Sequence, residues 1–207
     1  PKEFLAKLEK MRSKLFTARE GRIHPQKDDK VLTDWNGLMI SAFARSGRAL
    51  SDREYVRVAR KAADFCLKEL RAKDGRLLKR WRLGQAGLPA HLEDYAFFTQ
   101  GLLDLYEATF EPKYLKAAEE LTDLTLVHFE DKESGGFYMT ADDGEKLLVR
   151  AKEIYDGAIP SGNSVMALNL LRLNKVTADK KYLESANNLF TAFSGFLEKN
   201  PGGAEVM

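Results

Sequence analysis

Cysteine occurs once in the 207 residues, as Cys66, so neither an intrachain disulfide nor a cysteine-based zinc site can form. A lone cysteine reads as a small buried apolar residue, and a reducing, cytoplasmic setting is compatible with it. Histidine is nearly as scarce: His24, His91 and His128 stand far apart, without the spacing of a metal site. Long apolar runs are missing, and no charged-then-apolar leader opens the sequence, so no membrane partner is expected. An excess of one charge is missing too. Lys and Arg number 33 against 31 Asp and Glu, a net charge of +2, and no basic stripe is interleaved with aromatics. Nucleic acid is therefore not an expected partner. There is no Gly-x-Ser-x-Gly elbow, and the run Gly157–Gly162 lacks the lysine of a phosphate loop. No cofactor or metal is called for.

What the chain does have is a repeat. Three stretches, Tyr55–Phe65, Tyr114–Leu124 and Tyr182–Ala192, each open with Tyr and an aliphatic residue. They recur at 59 and 68 residues, too long for tetratricopeptide or HEAT units. Each has a helix-start signal before it: Ser51 with Glu54 at capping-box spacing, Pro112 for a first turn, and Asp179 as a cap. Polar residues Arg57, Arg60, Lys61, Asp64 and Lys68 fall on one stripe of the first copy. Lys116, Glu119, Glu120 and Asp123 repeat that stripe in the second.

A second helix precedes each of these, near 35–50, 93–109 and 163–176, and is apolar nearly all round. Leu38 to Phe43, Phe97 to Leu105 and Val165 to Leu171 carry that pattern. The periodicity thus predicts buried inner helices paired with striped outer helices at 55–70, 113–128 and 181–197. Stacked hairpins of this kind give a solenoid or a closed (α/α) toroid. The predicted fold is all-α: a single unit over 1–207, an arc of an (α/α) barrel holding about three and a half hairpins. The amphipathic stretch 2–16, with Phe4, Leu8, Met11 and Leu15 in register, reads as an outer helix without its inner partner. A small β-hairpin is predicted between Gly136 and Tyr155, with Phe137–Thr140 and Lys146–Val149 as arms and Asp143-Gly144 as the turn. Gly75–Trp81 also has strand character.

Three motif-like stretches precede the three inner helices. They are His24–Gly37, His91–Tyr95 and Tyr155–Ser164. Parallel inner helices bring such starts to one end of the ring, where free N–H groups and positive dipole ends face outward. Carboxylates, aromatics and amides meeting there suit a sugar: rings stack on Trp or Tyr, and hydroxyls bond carboxylates and amides. Glu93, Asp94 and Asp156 stand at comparable places beside apolar helices. A carboxylate there is costly unless a cleft solvates it or a partner neutralises it. These three are the candidate acid/base groups. Asp29, Lys30, Trp35, Asn36, His91, Tyr95, Ser161 and Asn163 are the candidate substrate contacts. Duller readings stand beside these. Asp34 and Asn163 are also natural N-caps, Trp35 and Tyr95 also suit a core, and Asp28–Lys30 also suits a solvated loop.

The stretches Asp28–Thr33 with Trp35–Ala42, Leu92–Ala96 and Tyr155–Ser164 resemble a known family. Its members join an N-terminal thioredoxin-like domain to an (α/α) barrel similar to six-hairpin glycosidases and N-acylglucosamine 2-epimerases. The spermatogenesis-associated thioredoxin-domain proteins and bacterial relatives belong to it. The resemblance implies the barrel fold and a link to carbohydrate metabolism. The thioredoxin-like part has no counterpart in these residues, and Cys66 does not replace a Cys-x-x-Cys pair.

Three functions remain open on this reading. One is a sugar hydrolase or epimerase using acid/base carboxylates. The second is a non-catalytic module binding a ligand or protein within a thioredoxin-domain fusion, and the third is a scaffold. Hairpins cut from a ring leave apolar flanks, so a homodimer through exposed barrel edges is expected.

Overall fold

The computed structural model describes residues 2–207, which divide into one unit ending at Lys30 and a second from Val31 to Met207. In the first unit, α1 (Lys2–Glu20) is followed by a turn and a segment without regular secondary structure. None of its residues is buried, so Phe4, Leu8, Met11 and Leu15 are exposed.

The second unit holds three helical hairpins. They are α2 (Thr33–Leu50) with α3 (Arg53–Glu69), α4 (Leu92–Thr109) with α5 (Pro112–His128), and α6 (Gly162–Thr177) with α7 (Lys180–Lys199). All six predicted helices are present within a few residues of their expected bounds. One device closes every hairpin. The inner helix ends on a residue in the left-handed region: Ser51 at φ 55°, Phe110 at 54° and Ala178 at 59°. Next comes an acid, then Tyr three positions on: Asp52 and Tyr55, Glu111 and Tyr114, Asp179 and Tyr182. Asp52 and Asp179 accept the N–H of Glu54 and Lys181, and Pro112 fills the first turn after Glu111. The expected Ser51–Glu54 capping box is corrected by this. Ser51 terminates α2, and Asp52 is the cap.

The middle hairpin is the best covered. Phe97, Phe98, Leu102 and Leu105 are wholly buried on α4, while Lys116 is exposed on α5. Among the inner helices, α2 departs from the all-round apolar expectation: Trp35 and Met39 are mostly exposed on one flank. Its other flank lies backbone to backbone against α4. A Cβ on Gly37 would fall 2.5 Å from the Phe97 carbonyl carbon, and one on Gly101 would fall 2.7 Å from the Gly37 oxygen. Only glycine admits that approach.

The far ends of the inner helices are tied by charge. Arg172 donates to Asp104 and Glu107 at 2.7 Å each, and Arg48 donates to Glu107 at 2.7 Å. Ser41 adds a bond to the buried Asp104. Burial alone would raise the Glu107 carboxyl, but Arg172 and Arg48 outweigh it and hold it below the usual range. With their C-terminal halves tied together, α2, α4 and α6 run in parallel.

A three-stranded antiparallel sheet joins the first two hairpins. Strand β1 (Val31–Leu32) pairs with β2 (Leu78–Arg82), and β2 pairs with β3 (Gln85–Pro89). Leu83 and Gly84 both have positive φ, at 51° and 79°, which suits the tight turn between twisted strands. The hairpin predicted in 136–155 does not form. Only an isolated bridge between Glu130 and Phe137 appears there. The arms spend their backbone groups elsewhere: Phe137 on the Asn163 amide, and the Met139 carbonyl on the Leu92 N–H. No helix among the described residues is long and apolar enough to cross a membrane.

Candidate functional site

Asp94 fixes the starts of two inner helices at once. Its Oδ2 accepts the His91 N–H at 2.8 Å, capping its own helix α4. Its Oδ1 accepts the Asp34 N–H at 3.1 Å, in the first turn of α2. Lys79, on β2, donates to Oδ2 at 3.2 Å and lies 3.5 Å from Asp34 Oδ2. The start of α6 adjoins the same place, since a Cβ on Gly162 would meet Leu92 at 2.9 Å and Glu93 Cγ at 3.5 Å. The expected convergence of inner-helix starts is therefore present for α2, α4 and α6.

Glu93 is half-buried there, and its carboxyl makes no hydrogen bond among the described residues. Burial pushes its pKa up, and the charges of Asp34 and Glu153 push the same way against Lys79. Burial also raises Asp94, to about 6, against Lys79 and the His91 N–H. His91 is lowered, first by burial and then by Lys79, so its imidazole is neutral at neutral pH. Lys79 itself is pulled down by burial, but Asp94 and Asp34 outweigh that and leave it above its ordinary value. Glu153 Oε1 accepts the N–H groups of Ile154 and Tyr155. Trp35 and Tyr155 are each about three-fifths exposed.

The other expected contacts fall out differently. Asp156 spends Oδ1 on the Ser161 N–H at 2.8 Å and Oδ2 on the Val206 N–H at 2.9 Å. Both oxygens of Asp94 and of Asp156 thus accept hydrogen bonds within the fold. Asn163 is wholly buried and holds Phe137 N–H, Phe137 carbonyl and Glu153 carbonyl at 2.8 to 2.9 Å. It sits in the first turn of α6. The cap is Ser161, whose Oγ accepts the Ser164 N–H at 3.1 Å. Tyr95 is buried, with its hydroxyl accepting the Leu77 N–H at 3.0 Å and its ring against Phe129. The Asn36 amide donates to the Leu32 carbonyl at 2.7 Å. Asp29 and Lys30 lie in the first unit, where Lys30 pairs with Asp28 at 2.8 Å. Lys79 and Glu153 were not singled out from the sequence. Lys79 sits in a strand rather than a helix-start motif, and Glu153 looks like one more charge in a polar loop. A groove of about 580 Å3 lies between α5 and α7, lined by Glu130, Asp131, Lys181 and Ser185, and none of the candidate residues lines it.

Solved structures that share this arrangement of hairpins include carbohydrate-active (α/α) barrels. An α-mannanase of glycoside hydrolase family 76 from Bacteroides thetaiotaomicron matches 81% of the chain and 45% of its own, with TM-score 0.66 and 22% identity. Cellobiose 2-epimerase from Bacillus thermoamylovorans matches 82% of the chain and 46% of its own, with TM-score 0.65 and 19% identity. At such identity the likeness is one of fold. The fold class is thus an all-α arc of a six-hairpin-glycosidase-like (α/α) toroid. No protein-family model matches the chain. Human spermatogenesis-associated protein 20 is 39% identical over 198 residues, 91% of this chain and 25% of that protein. The chain is thus homologous to a stretch of these proteins, and it spans about a quarter of their length.

Proposed function

We propose that this stretch forms part of the reacting face of a carbohydrate-active barrel, with Glu93 as its proton donor and acceptor. One observation carries the reading: a half-buried carboxyl, free of hydrogen bonds, stands where three inner helices begin and is held above its usual range. A carboxyl whose proton affinity is raised in this way is suited to giving a proton to a departing glycosidic oxygen. Glu153 faces it as the second carboxyl, suited to activating water or stabilising positive charge on the sugar. Trp35 and Tyr155 offer ring faces for stacking. The likeness to hydrolase and epimerase barrels supports a sugar as the ligand.

A second reading rests on His91. A neutral imidazole at the start of the same helix as a carboxyl whose proton affinity burial raises could serve as base and acid, as epimerisation next to a carbonyl requires. A cytoplasmic setting, a thioredoxin-like domain elsewhere in such proteins, and pairing of two copies through exposed barrel edges belong to the same proposal.

The test is a screen of oligosaccharides and reducing sugars against the protein, then Glu93→Gln. Turnover is expected to fall by about 100-fold or more with the thermal midpoint kept. Undiminished turnover in folded Glu93→Gln would overturn the assignment. Sugar binding without turnover in the wild type would favour a binding module.

A further inference from the structure

We infer that Lys79 is the positioning residue of this face, holding the starts of α2 and α4 together and setting the charge around Glu93. The inference rests on the reading of Glu93 just given. Lys79 reaches from the middle of β2 to Asp94 Oδ2 at 3.2 Å and Asp34 Oδ2 at 3.5 Å. Strand β2 is itself fixed beside α2, because β1 runs directly into that helix and Thr33 donates to the Leu78 carbonyl at 2.6 Å. The lysine therefore arrives from a rigid element.

Its two roles follow from what it touches. Asp94 pins the Asp34 N–H and the His91 N–H, and it can do so only as an acceptor. Its side chain is wholly buried, so without a neighbouring cation it would retain a proton and could turn that proton towards a backbone donor. Lys79 keeps the carboxylate available. The same ammonium is the cation felt by Glu93, Asp94 and His91 alike. The groups facing Glu93 are Lys79 from β2, Asp34 from α2 and Glu153 from the loop before α6. Two of these are anions, so removing Lys79 leaves Glu93 among like charges only.

The experiment is a carboxyl-carbon NMR titration of wild type, Lys79→Met and Lys79→Arg, with Glu93 assigned by its loss in Glu93→Gln. In Lys79→Met the Glu93 midpoint should rise by roughly one pH unit. In Lys79→Arg it should stay within a few tenths of a unit. If Lys79→Met does not fold, Lys79→Gln and Lys79→Arg carry the readout. A folded charge-removing variant with an unmoved Glu93 midpoint, or a large shift in Lys79→Arg, would overturn the inference. The titration needs no substrate. A failed sugar screen beside a shifted Glu93 would sink the proposed function and leave this inference standing. Sugar turnover beside an unmoved Glu93 would do the reverse.

Discussion

Tyr182 donates its hydroxyl to Asp123 at 3.2 Å, and one repeat earlier Tyr114 makes the same bond to Asp64 at 3.2 Å. The preceding lysine joins each time. Lys181 and Lys113 pair with the same aspartates at 2.8 Å and lie 4.7 and 4.6 Å from the centres of the adjacent tyrosine rings. The second and third outer helices are thus each clasped at the start by an acid on the outer helix before it, α5 on α3 and α7 on α5. The acid stands nine residues after the leading Tyr of its own copy, so the repeat carries both halves of the clasp.

Removing one hydroxyl should be felt as one hydrogen bond. Both rings are buried to within 1%. Tyr182→Phe keeps the ring and the Lys181–Asp123 pair, so it is expected to cost about 1 kcal/mol in urea unfolding. Tyr182→Ala also empties a buried volume, and about 3–5 kcal/mol is expected. Equal losses for the two variants would show that the hydroxyl, not the ring, carries the contact.

Asn163 should be among the least replaceable residues. Its amide satisfies one buried N–H and two carbonyls that the irregular loop cannot pair by itself. Asn163→Ala leaves all three without partners, for an expected loss of about 3 kcal/mol or more. Asn163→Asp keeps the shape but turns acceptors onto two carbonyls, so it should not rescue the fold. A chemical-denaturation midpoint near wild type for either variant would contradict this account.

The hairpins were legible because helical periodicity and the Tyr-led repeat are local signals, and the structure matches them almost helix by helix. Side-chain assignments fared less evenly. Asp34 and Asn163 looked like caps because their types suit caps, yet Leu32 and Ser161 hold those positions. Asp94 stands out in the sequence as an acid beside apolar residues, but its structural role does not. Its partners, the Asp34 N–H and Lys79, are 60 and 15 residues away and leave no trace in local pattern. The β-hairpin near Asp143-Gly144 had good turn chemistry. It was lost because Asn163, α4 and a bidentate contact from Arg76 to Asp143 at 2.7 Å claim its arms and tip.

Close approach of α2 and α4 makes a prediction at Gly37. An added methyl would sit 2.5 Å from backbone atoms of Phe97 and Phe98, which cannot swing aside as a side chain would. Gly37→Ala must push the helices apart, and a loss of about 3 kcal/mol is expected, the upper end for overpacking. Gly84→Ala serves as the contrasting case. A Cβ there meets nothing within 4 Å, so its cost comes from the backbone angle alone. A Gly37→Ala variant as stable as Gly84→Ala would refute the close approach.

The titration of Asp94 should appear in the pH dependence of stability, and its sign can be worked out. Burial raises the folded carboxyl to about 6, while an unfolded aspartate titrates near its ordinary value of about 4. Between those values the folded state holds a proton that the unfolded state has released. Stability from this group is therefore fully present below about pH 4 and is lost as pH rises to about 6. Asp94→Asn has no such group, so the difference in stability between wild type and Asp94→Asn isolates the effect. Wild type's advantage should shrink by up to about 3 kcal/mol from pH 4 to pH 6 and then stay level. The level part should remain positive. At pH 7 the carboxylate accepts from two backbone N–H groups and Lys79, whereas an amide turns one donor towards them. Urea midpoints for both proteins across pH 4 to 7 measure this directly. An advantage that grows with pH over that window would mean Asp94 is held below its ordinary value, with Lys79 and the amides outweighing burial.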